Sequence, residues 1–492
     1  MSRQIISRRS FFRTAAAGAA LTGISANALS GKTINDEKNY YLPTWESLDS
    51  HPCPEWYEDA KLGMYFHWGL SSVPGWAPRK NGTPYAEWYW NSMRDEKNPT
   101  WKYHRDTYGV NFAYDDFIPL FRAERYHPEE WAAFAKNTGM KYVFMNTKHH
   151  DGFCLWPSRV TNRNASKMGP KRDLIGPFVR AARKEGLKVG FYYSFYEWYN
   201  PLYTGNPQQY AGYIPHKNYV EDFMAPQVRE LIDLYQPDFL YFDGEWDQPP
   251  EFWNSREFVA DYYNQALKRK QDVLVNDRFG KGSRGIHGDV FNVEYEYGIE
   301  SQGLLTHKWS YWRGIAKTFG YNRDADPQDC LSAQELIHMV ADGVSRNGNF
   351  DINIGPSGAG EIIDIERAPL EALGKWLRIN GEAIYGSRIW KIPAEGDIRF
   401  TSKGEYVYAL VLKWPGEKFD IRSLRAEEGS KISMLGAPGA ISWSQNSDAL
   451  TLEYPLWKSR PTECAYAWVF KIRPKKHFEL EAIQRKQRSI QR

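Results

Sequence analysis

Cysteine is scarce in this chain of 492 residues, and its distribution excludes two classes of small module. The four cysteines, Cys53, Cys154, Cys330 and Cys464, lie far apart and form no CxxC pair. A disulfide framework needs closely spaced cysteines, and a structural zinc site needs paired ones. We therefore expect neither, and we interpret the cysteines as core residues without a chemical role.

Excess charge of either sign is also missing. The chain has 63 Lys and Arg against 60 Asp and Glu, which gives a formal net charge of +3. Proteins that bind nucleic acid or an anionic membrane carry a strong positive patch or net charge. The balance therefore predicts neither partner, and we interpret the basic residues 475–492 as a solvated C-terminal tail.

No apolar run is long enough to be read as a membrane span. The candidate, AAAGAALTGIS, is short and rich in Ala and Gly, follows Arg8 and Arg9, and precedes Ala26-Asn27-Ala28. About 20 apolar residues are needed to cross a bilayer. The pattern is typical of a twin-arginine export signal cleaved after Ala28. We predict a signal peptide over residues 1–28 and a mature protein in the periplasm or outside the cell.

Aromatic residues, by contrast, are abundant, at 16% of the chain with 20 Trp and 32 Tyr. A flat apolar face with a polar tip suits contact with sugar rings, although the same residues also fill ordinary cores. The length exceeds that of one typical domain, so we expect one large domain and a smaller one.

Apolar strands such as KYVFMNT, LKVGFYYS and PDFLYFDG alternate with amphipathic helices from about residue 60 to 390. This alternation predicts a parallel sheet, and about seven such units favour a (β/α)8-like barrel, placed at residues 40–392. The irregular stretch between Glu296 and Asp329 predicts one distorted or missing unit. Short strands with turn signals then predict an antiparallel β-sandwich over residues 395–474, with an accessory role.

Nearly every predicted strand ends in polar or aromatic side chains. In a parallel barrel the carboxyl ends of all strands meet at one face, where active sites are built. We therefore expect one site formed by these groups: His67-Trp68, His149-His150-Asp151, Tyr192-Tyr193, Asp243-Gly244-Glu245-Trp246, Asn276-Asp277-Arg278 and Glu294-Tyr295-Glu296.

Two carboxylates at these strand ends suit cleavage of a glycosidic bond. Asp243 is followed by a glycine that lets the backbone turn, and Glu294 ends a later strand. One ionised carboxylate and one neutral carboxylic acid supply the nucleophile and the proton donor for this reaction. The alternative is that these carboxylates only form salt bridges to Arg278 or Lys148.

The histidines His67, His149 and His150 have two interpretations. They could bind a metal ion together with Asp151, or they could hydrogen-bond sugar hydroxyls while aromatic rings stack on the sugar. The spacing lacks the i,i+4 or HxH pattern of a metal site, so we favour the sugar interpretation and predict no metal and no cofactor. Asp151 then orients an imidazole or caps a turn. The stacking candidates are Trp68, Trp88, Tyr193 and Trp246.

Several segments together resemble the α-L-fucosidases of glycoside hydrolase family 29 over about residues 45 to 390: DAKLGMYFHWGLSSVPGW, EWYWNSM, KYVFMNTKHHDGFCLWPS, GPKRDLIGPFVRAARKEGLKVGFYYSFYEW, LYQPDFLYFDGEWD, VNDRFG and NGNFDINIGPSGAGEI. The resemblance implies a (β/α)8-like barrel with a C-terminal β-sandwich. It also implies a retaining, metal-independent exo-hydrolase that releases L-fucose from a fucosylated glycan.

The resemblance also implies roles for individual residues. Asp243 falls on the nucleophile of the family, and Arg278 falls on a binding arginine near it. Tyr241 occupies a place where relatives carry an aromatic residue, and Trp246 follows closely after the nucleophile. The remaining positions hold or line the sugar: His67, Glu87, Trp88, His149, His150 and Tyr193.

The acid/base is where this chain departs from the resemblance. Some family members carry this Glu in a motif like TAEY and others in a later KWE, whereas this chain reads NVEY and KWS. A serine with an ordinary pKa cannot act as a general acid near neutral pH, which excludes Ser310. We predict Glu294 as the acid/base, with Glu296 and Glu300 as fallbacks.

Three other functions remain open at this point. The enzyme could act on a related L-sugar, such as an α-L-galactoside or an algal fucoside. The chain could be a catalytically silent sugar-binding homologue, which the KWS departure favours and the retained Asp243, Arg278 and Glu294 oppose. A metal-dependent hydrolase is the third alternative.

Overall fold

Eight parallel strands form the central sheet of this computed structural model, which describes residues 40–205, 210–295, 306–454 and 465–475. Their spatial order is β5-β4-β3-β2-β1-β8-β7-β6. The strands are β1 Leu62–Phe66, β2 Tyr142–Lys148, β3 Lys188–Ser194, β4 Phe239–Asp243, β5 Leu274–Val275, β6 Phe291–Glu294, β7 Trp309–Gly314 and β8 Gly348–Ile354.

The strands are buried on both faces, as parallel strands covered by helices are. All seven residues of β2 are buried. The covering helices present apolar stripes, such as Phe178, Val179 and Ala182 on the helix after β2. The helices of the barrel are α1 Trp45–Leu48, α2 Glu55–Ala60, α3 Tyr89–Ser92, α4 Pro99–Tyr108, α5 Pro128–Asn137, α6 Ile175–Lys184, α7 Pro201–Thr204, α8 Ala225–Tyr235, α9 Pro250–Trp253, α10 Ser255–Arg269, α11 Ala333–Ser345 and α12 Asp364–Asn380.

Aromatic side chains fill the interior of the sheet. Two glycines make room for them, because a Cβ on Gly63 or Gly190 would lie 2.1 Å from the Tyr142 ring or 2.3 Å from the Phe144 ring. Part of the high aromatic content is thus used as core. The interior cluster contains Tyr57, Tyr65, Tyr142, Phe144, Tyr192, Phe239, Tyr241, Leu274, Val290 and Trp312.

The predicted missing unit is present as β7, which lies within the stretch that we interpreted as irregular. Its sequence, WSYWRG, contains no Val, Ile or Leu and so lacks the usual signature of a buried strand. It nevertheless pairs in parallel with β6 and β8, and Trp309 packs across Gly348 on β8. The correction is that the barrel has its full set of eight strands.

The junction between β5 and β6 closes the sheet by unusual means. A parallel bridge joins Asn276, directly after β5, to Val290, directly before β6. Two carboxylates supplement it: Asp289 accepts a hydrogen bond from the Val275 N–H (2.8 Å), and Asp277 accepts one from the Asn292 N–H (3.2 Å). Side chains therefore replace much of the backbone ladder at this junction.

The C-terminal module is a β-sandwich of two antiparallel sheets, as predicted. One sheet has the order β13-β16-β11-β10-β9 and the other has the order β12-β15-β14. Its first strand begins at Arg388, before the predicted start of the module at residue 395. The strands are β9 Arg388–Glu395, β10 Ile398–Lys403, β11 Tyr406–Val411, β12 Lys418–Ile421, β13 Ser433–Met434, β14 Ser442–Gln445, β15 Leu450–Glu453 and β16 Trp468–Ile472.

Strand β11 connects the cores of the two modules, because successive side chains of a strand face opposite sides. Val407, Ala409 and Val411 pack in the core between the two sheets. Tyr408 and Leu410, on the other side, pack in the same cluster as the barrel helices. The sandwich is therefore seated against α11 and α12, away from the carboxyl ends of the barrel strands.

Candidate active site

A pocket of about 150 Å3 lies at the carboxyl ends of the barrel strands. Ten of the eleven residues predicted to catalyse the reaction or bind the sugar line it: His67, Glu87, Trp88, His149, His150, Tyr241, Asp243, Trp246, Arg278 and Glu294. A larger groove of about 830 Å3 runs along α5 and α12 on the outside of the barrel and contains none of them. The chemistry is therefore concentrated in the smaller pocket.

Arg278 joins the two predicted catalytic carboxylates. Its Nη1 lies 2.9 Å from Asp243 Oδ1, and its Nη2 donates a short hydrogen bond to Glu294 Oε1. The guanidinium is almost fully buried, and Glu245 Oε2 lies 3.6 Å from Nη1. Two carboxylates that share one planar guanidinium are held a few ångströms apart. A glycoside hydrolase that works through two carboxyl groups needs both of them at one pocket, and this guanidinium holds them there.

Asp243 is the last residue of β4, and two hydrogen bonds fix the orientation of its carboxylate. Tyr192 donates a hydrogen bond to Oδ2 over 2.5 Å, while Arg278 occupies Oδ1. Gly244 follows with φ +91°, and a Cβ there would lie 2.4 Å from Cβ of Tyr196. Only glycine therefore allows the chain to turn directly after the carboxylate, as the sequence predicts.

Glu294 is the last residue of β6, which follows β4 and β5 around the barrel. About 29% of its side-chain surface is open to the pocket. Burial of the carboxyl raises its pKa, Arg278 opposes this, and the nearby negative charge of Asp243 raises it further. Tyr241 donates a hydrogen bond to Glu294 Oε1 over 3.2 Å. A carboxyl with a raised pKa beside a second carboxyl group fits the role of a proton donor.

The three histidines are neutral and hold polar atoms toward the pocket. Burial lowers the pKa of His67 and His149 well below the usual value, and lowers that of His150 to about 3. Within the described part of the chain, both ring nitrogens of His67 and Nδ1 of His149 have no hydrogen-bond partner. Buried polar atoms of this kind are normally satisfied, so these nitrogens are suited to bind ligand hydroxyls.

The contacts of His150 determine its tautomer. Its Nδ1 lies 2.6 Å from Ser194 Oγ, and that hydroxyl donates its proton to the Tyr196 carbonyl over 2.7 Å. The hydroxyl is therefore the acceptor for His150 Nδ1–H, which leaves Nε2 as an acceptor. Nε2 lies 3.8 Å from Asp243 Oδ2, beside the space that a ligand would occupy.

Glu87 lies on the turn Ala86–Trp88 and is anchored from the β7–α11 connection. Its Oε2 accepts hydrogen bonds from Thr318 Oγ1 (2.9 Å) and the Gly320 N–H (2.8 Å). Burial raises its pKa to about 7. Glu87 thus adds a polar group to the pocket, and the neighbouring Trp88 adds an apolar wall against His150.

Comparisons with known proteins agree with this geometry. Residues 28–382 match the family model described as alpha-L-fucosidase, and residues 393–473 match the alpha-L-fucosidase C-terminal domain. The chain belongs to the alpha-L-fucosidase family. It is therefore a glycoside hydrolase, and the resemblance to this family inferred from sequence motifs is confirmed.

Individual relatives can be aligned with most of this chain. Tissue alpha-L-fucosidase from Homo sapiens is 38% identical over 440 residues, which are 88% of this chain and 91% of that protein. The Rattus norvegicus protein of the same name is 36% identical over 442 residues. The structure of Thermotoga maritima alpha-fucosidase with a mechanism-based inhibitor has a TM-score of 0.76 and 39% identity, covering 88% of this chain and 100% of that one.

Two predicted aromatic contacts with the sugar are corrected by the structure. Tyr193 does not line the pocket: it faces the outside of the barrel, where its hydroxyl donates to Gln227 Oε1 over 2.7 Å, and Tyr192 takes the inward place. Trp68 also faces outward and donates to the Ser357 carbonyl over 2.7 Å. In both cases the alternation of side chains along the strand decides which residue faces inward.

The other strand-end residues have structural partners. Lys148 forms a fully buried ion pair with Glu197 at 2.8 Å, so it forms no salt bridge with Asp243 or Glu294. Asp151 accepts a hydrogen bond from Tyr114 over 2.8 Å and supports the turn after β2. Ser310 lies in the barrel interior, 2.6 Å from Asn292 Nδ2, and does not line the pocket. The fallback residues Glu296 and Glu300 lie outside the described residues.

Five pocket residues were absent from the predicted substrate-binding set: Tyr65, Tyr85, Tyr192, Trp312 and Phe319. The alternation of side chains along a strand could have identified Tyr65, which stands two residues before His67, because both face inward.

Among the described residues, no group of three or more His, Cys, Asp or Glu side chains is placed to hold a metal ion. The described helices also include none that is long and apolar enough to cross a membrane.

We expect Arg278→Lys to lower kcat by about 100-fold or more, comparable to removal of one donor that stabilises a transition state. An ammonium carries the same charge, but it cannot hold two carboxylates with two coplanar amino groups. Steady-state kinetics on an aryl α-L-fucoside measure the effect. Arg313→Lys, on β7 and outside the pocket, is the matched control and keeps wild-type rates. Equal rates for Arg278→Lys and wild type would show that the shared guanidinium is dispensable.

Proposed function

We propose that this protein hydrolyses terminal α-L-fucosyl residues of oligo- or polysaccharides by double displacement, with Asp243 as nucleophile and Glu294 as acid/base. The observation that carries the proposal is the pair of carboxylates held by the two amino groups of Arg278 in one pocket. Family membership indicates that the sugar is L-fucose, because the matched relatives are alpha-L-fucosidases.

In the first step the ionised Asp243 attacks C1 of the fucosyl unit and forms an ester bond to it. The bond from C1 to the glycosidic oxygen breaks, and Glu294 gives its proton to that departing oxygen. Arg278 and the Tyr192 hydroxyl hold the Asp243 carboxylate in place before the attack. The product of this step is a covalent fucosyl-enzyme.

In the second step the Glu294 carboxylate takes a proton from water, and the resulting hydroxide attacks C1. The ester bond to Asp243 breaks, its carboxylate is restored, and Glu294 is protonated again. Two inversions at C1 give fucose with its original α configuration. These steps use only side chains of this chain, so the proposed reaction needs no metal and no cofactor.

The size and lining of the pocket support exo cleavage. A volume of about 150 Å3 is small compared with the roughly 300–1,000 Å3 of pockets for drug-sized ligands, so it suits one sugar ring and not a chain. The groups available to bind the hydroxyls are His67, His149, His150 and Glu87. The aromatic faces of Trp88, Trp246 and Tyr241 suit the apolar side of the ring.

Covalent trapping tests the proposal directly. We expect a 2-deoxy-2-fluoro-fucosyl fluoride to inactivate the enzyme and to label the peptide that contains Asp243, as measured by mass spectrometry after digestion. A label on any other peptide, or none, would overturn the assignment of the nucleophile. A panel of aryl glycosides tests the sugar, because faster cleavage of an α-L-galactoside than of an α-L-fucoside would favour the related-sugar alternative.

We also propose that the protein is exported through the twin-arginine pathway, as the motif at residues 8–28 predicts. This segment lies outside the described residues, so its support is the sequence alone. N-terminal sequencing of the mature protein tests the proposal, with Leu29 as the expected first residue. An intact Met1 on protein found in the cytoplasm would contradict it.

A further inference from the structure

A band of aromatic side chains continues outward from the mouth of the pocket. We call Trp246, Tyr196, Tyr203 and Phe252 the aromatic rim. Trp246 is 41% exposed and Phe252 is 42% exposed, although both are large apolar residues. Of the four, only Trp246 also lines the pocket. Neighbouring exposed aromatics on a water-facing surface are a sign of a binding site.

The rim forms a continuous path. Trp246 lies edge-on to His150 of the pocket, with ring centroids 5.7 Å apart. Tyr196 follows at 5.8 Å from Trp246, and Tyr203 at 5.8 Å from Tyr196. Phe252 completes the path with its ring centroid 6.5 Å from that of Tyr203. The rim therefore leads from the space around Asp243 toward α7 and α9.

The rim is held in place by the layer behind it. Trp253 is fully buried and contacts Phe252 edge-on at 4.9 Å and Tyr203 at 5.5 Å. The Tyr203 hydroxyl donates a short hydrogen bond to Asp247, which also accepts one from Gln248 over 3.2 Å. Rings fixed in this way lose little conformational freedom when a ligand covers them.

We propose that the aromatic rim is a subsite for the pyranose residue to which the fucosyl unit is attached. This inference rests on the proposed function. The pocket accommodates one ring, so the leaving part of the glycan must emerge at the mouth, where Trp246 is exposed. A neutral pyranose has an apolar C–H face that packs on aromatic rings, while its hydroxyls reach water or Asp247. The favoured substrate class is therefore a fucosylated oligosaccharide rather than a fucoside with a small leaving group.

The test compares two substrates that differ only in the leaving group. α-L-Fucosyl fluoride has no ring beyond the fucose, whereas a fucosylated lactose carries two. We expect Phe252→Ala to lower kcat/KM for the fucosylated lactose by about three- to tenfold, the size of one lost ring contact. The same variant keeps the wild-type kcat/KM for the fluoride, because Phe252 does not line the pocket.

Leu234→Ala is the matched control. Leu234 is 50% exposed, but it lies at the end of α8 that leads into the start of β4, at the opposite end of the barrel. We expect Leu234→Ala to leave the kcat/KM values for both substrates unchanged. We expect Trp246→Ala to lower kcat/KM for the fucosylated lactose more than Phe252→Ala does, because Trp246 is nearer to the cleaved bond.

The outcomes separate this inference from the proposed function. If wild type cleaves neither substrate, the proposed function fails and the inference fails with it. If wild type cleaves both, and Phe252→Ala and Trp246→Ala keep the wild-type kcat/KM for the fucosylated lactose, the proposed function stands and the subsite is wrong. Loss of kcat/KM for the lactose substrate alone in Phe252→Ala supports the subsite.

Discussion

Asp243→Gly lowers the hydrolysis of an aryl α-L-fucoside by about ten-thousand-fold or more, the scale on which loss of a covalent nucleophile acts. The physical reason is that the variant lacks the carboxylate that forms the bond to C1. Arg278 and Tyr192 would still point at the vacated position, since Tyr192 lies on β3 and Arg278 lies in the segment after β5. The vacated space can therefore receive a small anion.

Rescue by azide tests whether the side chain removed in Asp243→Gly is the nucleophile. Added azide restores turnover in Asp243→Gly on an activated fucoside and yields fucosyl azide of inverted, β configuration, which NMR distinguishes from the α form. Asp243→Asn is the control for folding, because it keeps the side-chain volume and yields a wild-type melting profile without activity. An active Asp243→Gly variant, or rescue that gives the α azide, would refute the assignment of Asp243.

Glu294→Gln lowers kcat/KM on substrates with poor leaving groups by about 100- to 10,000-fold, the usual contribution of general acid catalysis. The loss is much smaller for a dinitrophenyl fucoside, whose leaving group needs no proton. Azide restores turnover here as well, but it attacks the covalent intermediate and so yields the α-configured product. The product configuration thus separates the two catalytic roles.

The pH profile gives a second readout for Glu294. Burial raises its pKa, and the acid must be protonated in the free enzyme, so wild-type kcat/KM falls as the pH rises through this raised pKa. Glu294→Gln loses that limb of the profile. Glu245→Gln is the matched control: it changes a buried carboxylate 3.6 Å from Arg278 and gives no azide product. If Glu296→Gln or Glu300→Gln shows the rescue instead, one of these fallbacks is the acid/base.

The sequence predicted the barrel because most of its strands are continuous apolar runs between amphipathic helices, and this prediction is confirmed. It failed at β7, where Trp309, Tyr311 and Trp312 supply the burial that aliphatic residues supply in other strands. Partners elsewhere in the sheet, such as Gly348 beside Trp309, make such a strand possible. Those partners are invisible to a local pattern.

The candidate site was predictable where a polar residue interrupts an apolar strand, as at His67 and Asp243. It was not predictable where the run continues without a break, as at Tyr192 and Tyr193. Both tyrosines are buried, one inside the barrel and one under the helices. The polarity of the sequence therefore does not show which of the two faces inward. The pairing of β3 with β4 fixes the orientation of both side chains, and Tyr192 rather than Tyr193 reaches Asp243.

The junction between β5 and β6 has a consequence for how the two catalytic groups are constrained. Asp243 is paired with β3 and Glu294 is paired with β7, and the guanidinium of Arg278 spans the junction between the two carboxyl groups. A proton donor could enter from another point along the backbone, provided that its carboxyl docks on the same amino group. The distance between the two carboxyl groups therefore depends on one side chain, and a change at Arg278 acts on both of them at once.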